Sequence, residues 1–330
     1  MKSKVRWGIL STASIAREQV IPALKRAENA EVVAIASLSG HAKKAAGQFE
    51  IEYAYNSYEE LLNHPEIDAV YIPLPNHLHK EWAIKAAQSK KHILCEKPAA
   101  LTAADIMEIK QVCEENNVYF MEAFMYHFHP QHQRVRDLIS TGAIDEVKQF
   151  RGSFSFLLDN PDENIRMNQV KGNGSLYDIA CYPIHAMRNI LQAEPVSVLT
   201  EAVIDDKYNV ETNTVSHFQF ESGVIGLIDS SFNMSFRHEY EIIGTKGRIM
   251  VPRAFRPDIN NGEGLIIIEN NDGRNEETLT GDIYRSEVEH LSQSIIDQTA
   301  PSLTLDNTFN NMKAIDACMK SIESGSRVSI

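Results

Sequence analysis

Lys97, Asp178, Tyr182 and His185 are the residues whose types and spacing could serve one reaction. Moving a hydride off an alcohol carbon requires a group that takes the hydroxyl proton and a cation that stabilises the developing alkoxide. Lys97 offers the cation. It follows an apolar run at 92–95, and Pro98 restricts it to extended backbone. Glu96 beside it can accept a hydrogen bond. The plain alternative for Lys97 is a solvated lysine at a strand end. On a helix, Asp178, Tyr182 and His185 would fall on one stripe. Pro183 interrupts that helix, and a helix interior tolerates proline only with a kink. A distorted first turn that still aims Asp178 and Tyr182 inward is therefore expected. The alternative for Tyr182 is a buried phenol bonded to a structural carboxylate. His185 is either a substrate hydrogen-bond partner or a satisfied core histidine.

These groups need elements to carry them, and the start of the chain suggests what those elements hold. Residues 5–10 read as a buried strand, Ser11-Thr12-Ala13-Ser14 as a small-residue turn, and 15–25 as a helix. In such a strand–turn–helix unit, backbone N–H groups and a helix N-terminus can bind a pyrophosphate. Counting from Gly8, the positions usual for phosphate-loop glycines hold Ser11, Ala13 and Ala16. These are small enough to let the backbone approach phosphate, and Ser11 or Ser14 adds a hydroxyl donor. They lack the freedom of glycine at positive φ, so a nearly regular turn is expected. An ordinary capped βα turn is the alternative. The second strand, 31–37, ends in Ser37-Leu38-Ser39-Gly40-His41-Ala42-Lys43-Lys44, which contains no acid. Dinucleotide folds selective for NAD place a carboxylate there. Two hydroxyls and nearby cations suit a 2′-phosphate instead, which points to NADP over NAD.

Strand and helix patterns alternate through residue 121, as in a doubly wound parallel sheet with helices on both faces. Asn76 caps the helix that follows the strand at 68–72. Beyond Met125 strands follow one another without intervening helices, the pattern of a largely antiparallel sheet in an α+β domain. The expected division is a dinucleotide-binding domain at 1–124 and a domain for substrate binding and oligomerisation at 125–330. One layer of helices covers only one face of the later sheet. A homodimer or dimer of dimers, formed sheet against sheet, is therefore expected.

A chain of 330 residues with 43% hydrophobic and 23% charged residues fits a globular protein with sizeable cores. Its formal charge of −13 argues against sequence-independent binding to nucleic acid or to an anionic membrane. Cys95, Cys113, Cys181 and Cys318 are scattered, so reduced thiols and a cytoplasmic location are expected. His127, His129 and His132, and His77 with His79, have no carboxylate or cysteine at companion spacing, and no metal is expected.

In this order the pieces resemble the Gfo/Idh/MocA family, named for glucose–fructose oxidoreductase and inositol dehydrogenase. The matching stretches are Gly8-Ile9-Leu10-Ser11-Thr12-Ala13, Ile72-Pro73-Leu74-Pro75-Asn76-His77-Leu78-His79 and Cys95-Glu96-Lys97-Pro98. They continue with Glu122-Ala123-Phe124-Met125, Gly172 to Ile179, and Gly244-Thr245-Lys246-Gly247-Arg248-Ile249. The resemblance implies a Rossmann-type α/β domain, an open-faced second sheet, and a nicotinamide-dependent oxidoreductase acting on a sugar, polyol or related diol. It makes Tyr182 the proton donor or acceptor, Lys97 its electrostatic partner and Asp178 the group that orients them. Tyr182, where inositol-dehydrogenase-like members carry His, places the chain with the glucose–fructose oxidoreductase and dihydrodiol dehydrogenase branch. Around the cofactor it implies Ser11, Ala13, Ser14, Ile15, Ser37, Ser39, Lys44, Leu74, Asn76, His79, Glu96 and Lys97, with the Lys97–Pro98 bond cis. Leu38 and His127 stand where relatives commonly carry Arg. A non-catalytic dinucleotide sensor of the same fold is the competing reading, but it would not need Lys97, Asp178 and Tyr182 together.

Overall fold

The structure, a computed structural model, describes residues 4–168, 172 and 174–330. It divides into two compact units. The first comprises Met1–Met125 together with Tyr284–Phe309. Its sheet holds β1 (Val5–Leu10), β2 (Ala30–Ala36), β3 (Tyr53–Tyr55), β4 (Ala69–Ile72), β5 (His92–Glu96) and β6 (Phe120–Ala123). All pairings are parallel, in the order β3-β2-β1-β4-β5-β6. This is the doubly wound order, with the chain reversing direction across the sheet at β1 and β4. The residues of β4 are all buried, as parallel strands covered on both faces require.

One segment departs from the division expected at residue 124. Residues 284–309 belong to the first unit although they follow the later strands in sequence. The helix Ile283–Asp297 buries Tyr284, Val288 and Leu291, and its Ser292 Oγ accepts from Trp7 Nε1 at 3.1 Å. Its Glu289 carboxylate accepts the Glu28 amide at 2.9 Å. The helix covers surface that sequential pairing leaves open, and sequence order carries no sign of that.

The second unit comprises Tyr126–Ile283 and Asn310–Ile330. Its strands are β7 (Val147–Leu157), β8 (Pro195–Ile204), β9 (Glu211–Phe220), β10 (Ile225–Ser231), β11 (Asn233–Gly244), β12 (Gly247–Val251), β13 (Glu263–Asn270), β14 (Gly273–Thr280) and β15 (Val328–Ser329). Among the described residues they form one sheet in the order β14-β13-β12-β11-β7-β10-β9-β8-β15, antiparallel throughout except for β7 beside β10. The exposed, polar β14 carries no alternating apolar signal and was not expected. One face is packed against helix Cys181–Leu191: a Cβ at Gly152 would come 2.7 Å from Pro183 Cβ, and Gly226 faces Met187. The opposite face presents Leu199, Val203, Val215, Leu227, Ser153 and Asp229. All four cysteines are buried thiols, and no helix among the described residues is long and apolar enough to cross a membrane.

Candidate functional site

In the first unit, the turn after β1 is not regular. Ser11 stands at φ 141°, a backbone region that favours glycine, so serine occupies the first phosphate-loop position despite its Cβ. Its Oγ accepts the Ala13 amide at 3.1 Å, a local bond that offsets part of that strain. Past Ser14 and Ile15 the chain enters the π-helical turn Ala16–Val20, which leads into helix Ile21–Arg26.

A chain of hydroxyls joins this turn to the end of β2. Thr12 Oγ1 lies 3.4 Å from Ser37 Oγ, which lies 2.9 Å from Ser39 Oγ, which in turn meets His41 Nδ1 at 2.9 Å. Arg17 closes the group from the opposite side, donating from Nε to the Thr12 carbonyl at 2.9 Å. Thr12, Arg17, His41, Lys44, Ala45 and Gln48 line a cavity of about 240 Å³. Its polar lining is Arg17, Lys44, His41, Gln48 and the Thr12 hydroxyl, with no carboxylate among the described residues, a donor set that fits a phosphate monoester on a ribose. Leu38, 63% exposed beside it, offers an apolar contact for a flat base.

At the end of β5, Glu96 accepts a short hydrogen bond from the fully buried Tyr71 hydroxyl. Burial, then the charge of Glu96, holds the phenol of Tyr71 well above its usual range. Burial first and Glu96 second do the same to the Glu287 carboxyl, whose Oε1 has no hydrogen-bond partner. The Lys97–Pro98 bond is cis, as the resemblance implied. The backbone after it is held on two sides. The Ala99 amide donates to Glu122 Oε1 at 2.9 Å, and the Pro98 carbonyl meets His79 Nδ1 at 2.8 Å. His79 Nε2 lies 2.6 Å from the Leu74 carbonyl. His79 was expected at the cofactor. It is fully buried, with its two ring nitrogens against the Leu74 and Pro98 carbonyls. Burial lowers its pKa to about 4, against the raising effect of the Pro98 and Leu74 carbonyls.

In the second unit, Leu176–Ala180 forms a π-helical turn that runs into helix Cys181–Leu191, the distortion expected ahead of Pro183. Asp178 and Tyr182 come from this stretch. Asp178 Oδ2 is 2.6 Å from Arg166 Nε, and the neighbouring charges of Asp178 and Tyr182 hold the Arg166 guanidinium above its ordinary range. The Tyr182 ring is packed among Tyr126, Phe154 and Phe255 at centroid distances of 5.4–5.8 Å. The arrangement places a cation and a carboxylate beside a phenol in an aromatic wall. His185 lies buried with Nδ1 2.6 Å from the Tyr126 hydroxyl and its ring against His127. His129 and His132 serve structure: His129 Nε2 meets the Gly262 carbonyl, and His132 bridges the Tyr240 hydroxyl and the Ala254 carbonyl.

Ser11, Ala13, Ser14 and Ile15 thus cluster at the first turn, with Ser37 and Ser39 just past β2 and Lys44 in helix Ala42–Phe49. Leu74, Asn76, Glu96 and Lys97 lie at the ends of β4 and β5. Asp178, Tyr182 and His185 share the distorted helix of the second unit. Sequence reasoning missed Arg17, His41, Arg166 and Tyr126. Arg17 had a signal, a cation one helical turn past the phosphate turn. Arg166 had none, since only folding returns it to Asp178.

Residues 5–124 match the family described as "Oxidoreductase family, NAD-binding Rossmann fold", and residues 132–250 match the GFO/IDH/MocA C-terminal domain. An uncharacterised oxidoreductase of Rhizobium meliloti is 36% identical over 97% of this chain and 98% of its own length. A D-xylose 1-dehydrogenase (NADP(+)) of Haloferax volcanii is 34% identical over 98% of this chain and 99% of its own. A 3-ketoreductase of Actinomadura kijaniata, solved in complex with NADP and TDP-benzene, superposes with a TM-score of 0.90 at 28% identity, covering 96% of this chain and 98% of that one.

Proposed function

Because the chain belongs to the GFO/IDH/MocA oxidoreductases, with an NAD-binding Rossmann domain, we propose that it is an NADP-dependent enzyme that transfers a hydride to or from a hydroxyl-bearing carbon of a sugar, polyol or related diol. The observation that carries this reading furthest is the Arg166–Asp178–Tyr182 group. A phenol set beside a guanidinium and a carboxylate is suited to take a hydroxyl proton and return it. The names of the Haloferax and Actinomadura relatives, a sugar dehydrogenase with NADP(+) and a ketoreductase solved with NADP, support the same class.

The nicotinamide, when bound, supplies the hydride acceptor or donor. The first turn and the ends of β2, β4 and β5 hold the dinucleotide. Arg17, Lys44 and the hydroxyls of Thr12, Ser37 and Ser39 select the 2′-phosphate. Lys97 stabilises the developing alkoxide, and its strand end is fixed by His79 and Glu122 acting on the backbone that follows. In carbonyl reduction Tyr182 Oη–H gives its proton to the developing alkoxide, and in alcohol oxidation the Tyr182 phenolate takes the hydroxyl proton. Asp178, anchored to Arg166, orients it. His185 Nε2 donates to a second substrate hydroxyl, its tautomer set by the Tyr126 hydroxyl.

The test is a panel of aldoses, inositols and diols with NADP and with NAD, followed by NADPH or NADH absorbance. Reduction of NADP by a member of the sugar or polyol group is the expected result. Tight dinucleotide binding with no turnover of any member would make a dinucleotide sensor the better account.

A further inference from the structure

Glu211 opens β9 and is 6% exposed. Its Oε1 accepts the Leu176 amide at 3.3 Å. Leu176 starts the helical stretch that carries Asp178 and Tyr182, and first-turn amides have no acceptor within the helix. Gly174 lies against the same carboxyl at φ +116°, and a Cβ there would collide with it. Beside it, Ser230 Oγ donates to Ser175 Oγ at 3.0 Å and lies 2.7 Å from Thr214 Oγ1. Side chains of β9 and β10 therefore hold three successive residues, Gly174, Ser175 and Leu176.

We propose that Glu211 is a positioning residue of the substrate site, clasping Gly174–Leu176 against β9 and so setting where Asp178 and Tyr182 stand. It rests on the roles given above to Asp178 and Tyr182. Burial raises the Glu211 carboxyl to about 7, against the lowering effect of its own amide and that of Leu176. Among the described residues no charged side chain acts on it; it faces Gly174 and Leu176 from the helix start and Ile204 from β8.

The sign follows from linkage. The clasped carboxyl binds its proton at about 7. A released, hydrated one would bind it near the ordinary Glu value of about 4.3. Protonation therefore favours the clasp: release grows about tenfold per pH unit between the released and clasped values and levels off above the clasped one. Glutamine keeps the acceptor oxygen without the charge; leucine removes the acceptor.

Hydrogen exchange of the Leu176 amide in the full-length protein, corrected for intrinsic rate, reads this directly. Protection in the wild type should fall about tenfold between pH 6 and pH 9, with most of the fall below pH 8. It should stay constant in Glu211→Gln and be low at both pH values in Glu211→Leu. With a turned-over substrate, KM should rise over the same interval in the wild type and not in Glu211→Gln. Wild-type protection that ignores pH, or a KM that ignores the clasp, would overturn the proposal. Normal turnover in Tyr182→Phe would instead overturn the assigned chemistry and leave the exchange result standing, so the two failures are distinguishable.

Discussion

At the scale of single residues, chemistry was legible wherever a side chain and its partner lie close in sequence. Lys97 before Pro98 and Asp178 at helical spacing from Tyr182 announce themselves. Ser11 did not behave as its type suggests: with a Cβ it still adopts φ 141°, because its own hydroxyl satisfies the Ala13 amide. Arg166 was not legible, since it meets Asp178 only through folding, whereas Arg17 was signalled by its place one helical turn past the phosphate turn. The assignment of Arg17 and Lys44 to a 2′-phosphate gives a direct expectation. Arg17→Ala and Lys44→Ala should each weaken NADP binding about tenfold or more, the worth of a lost charge-assisted hydrogen bond, while NAD binding barely changes. Quenching of tryptophan fluorescence by both cofactors measures it. Equal losses for NADP and NAD would remove these residues from the phosphate site.

At the scale of elements, two prolines shape the helices that present the candidate groups. The Ile21 amide reaches back to the Ala16 carbonyl, and the Cys181 amide to that of Leu176; both are π-type bonds just ahead of a proline. Pro22 and Pro183 lack the N–H for an α-helical bond, and their rings would crowd the carbonyls of Glu18 and Ile179. The second kink could be read from sequence; the first could not, because proline near a helix start passes as an ordinary N-terminus. The kinked helix is seated by Gly152, where a Cβ would meet Pro183 Cβ at 2.7 Å and Phe150 Cε1 at 3.1 Å. Gly152→Ala should therefore cost about 1–3 kcal/mol of stability by overpacking and should lower kcat by displacing Tyr182. Urea unfolding and steady-state turnover together check this; an unchanged midpoint would show that the helix can shift freely.

At the scale of the whole molecule, the grammar of the two sheets was readable from alternation against succession of strands. The assignment of 284–309 was not, because a helix that returns to an earlier unit leaves no mark in local pattern. The open face of the second sheet prompts an expectation about assembly. Glu201, Val215, Asp229, Ser153 and Glu239 form one cross-strand row on it, with Val203 in the next row. Arg237 pairs with Asp229 and donates to Ser155 Oγ on the same sheet. A second copy covering this face would make the protein a homodimer or dimer of dimers by light scattering at micromolar concentration. Val215→Lys with Val203→Lys should shift it toward monomer, and a monomeric wild type would refute the arrangement.

The central claim is that Tyr182 exchanges the proton of the substrate hydroxyl, and one comparison tests it most directly. Turnover of Tyr182→Phe on a substrate of the wild type is measured beside its NADP affinity on the same preparation. The account predicts turnover lower by roughly two orders of magnitude or more, with NADP affinity close to that of the wild type. Near-normal turnover would contradict it and would move the acid–base role elsewhere, with His185 the first residue to examine.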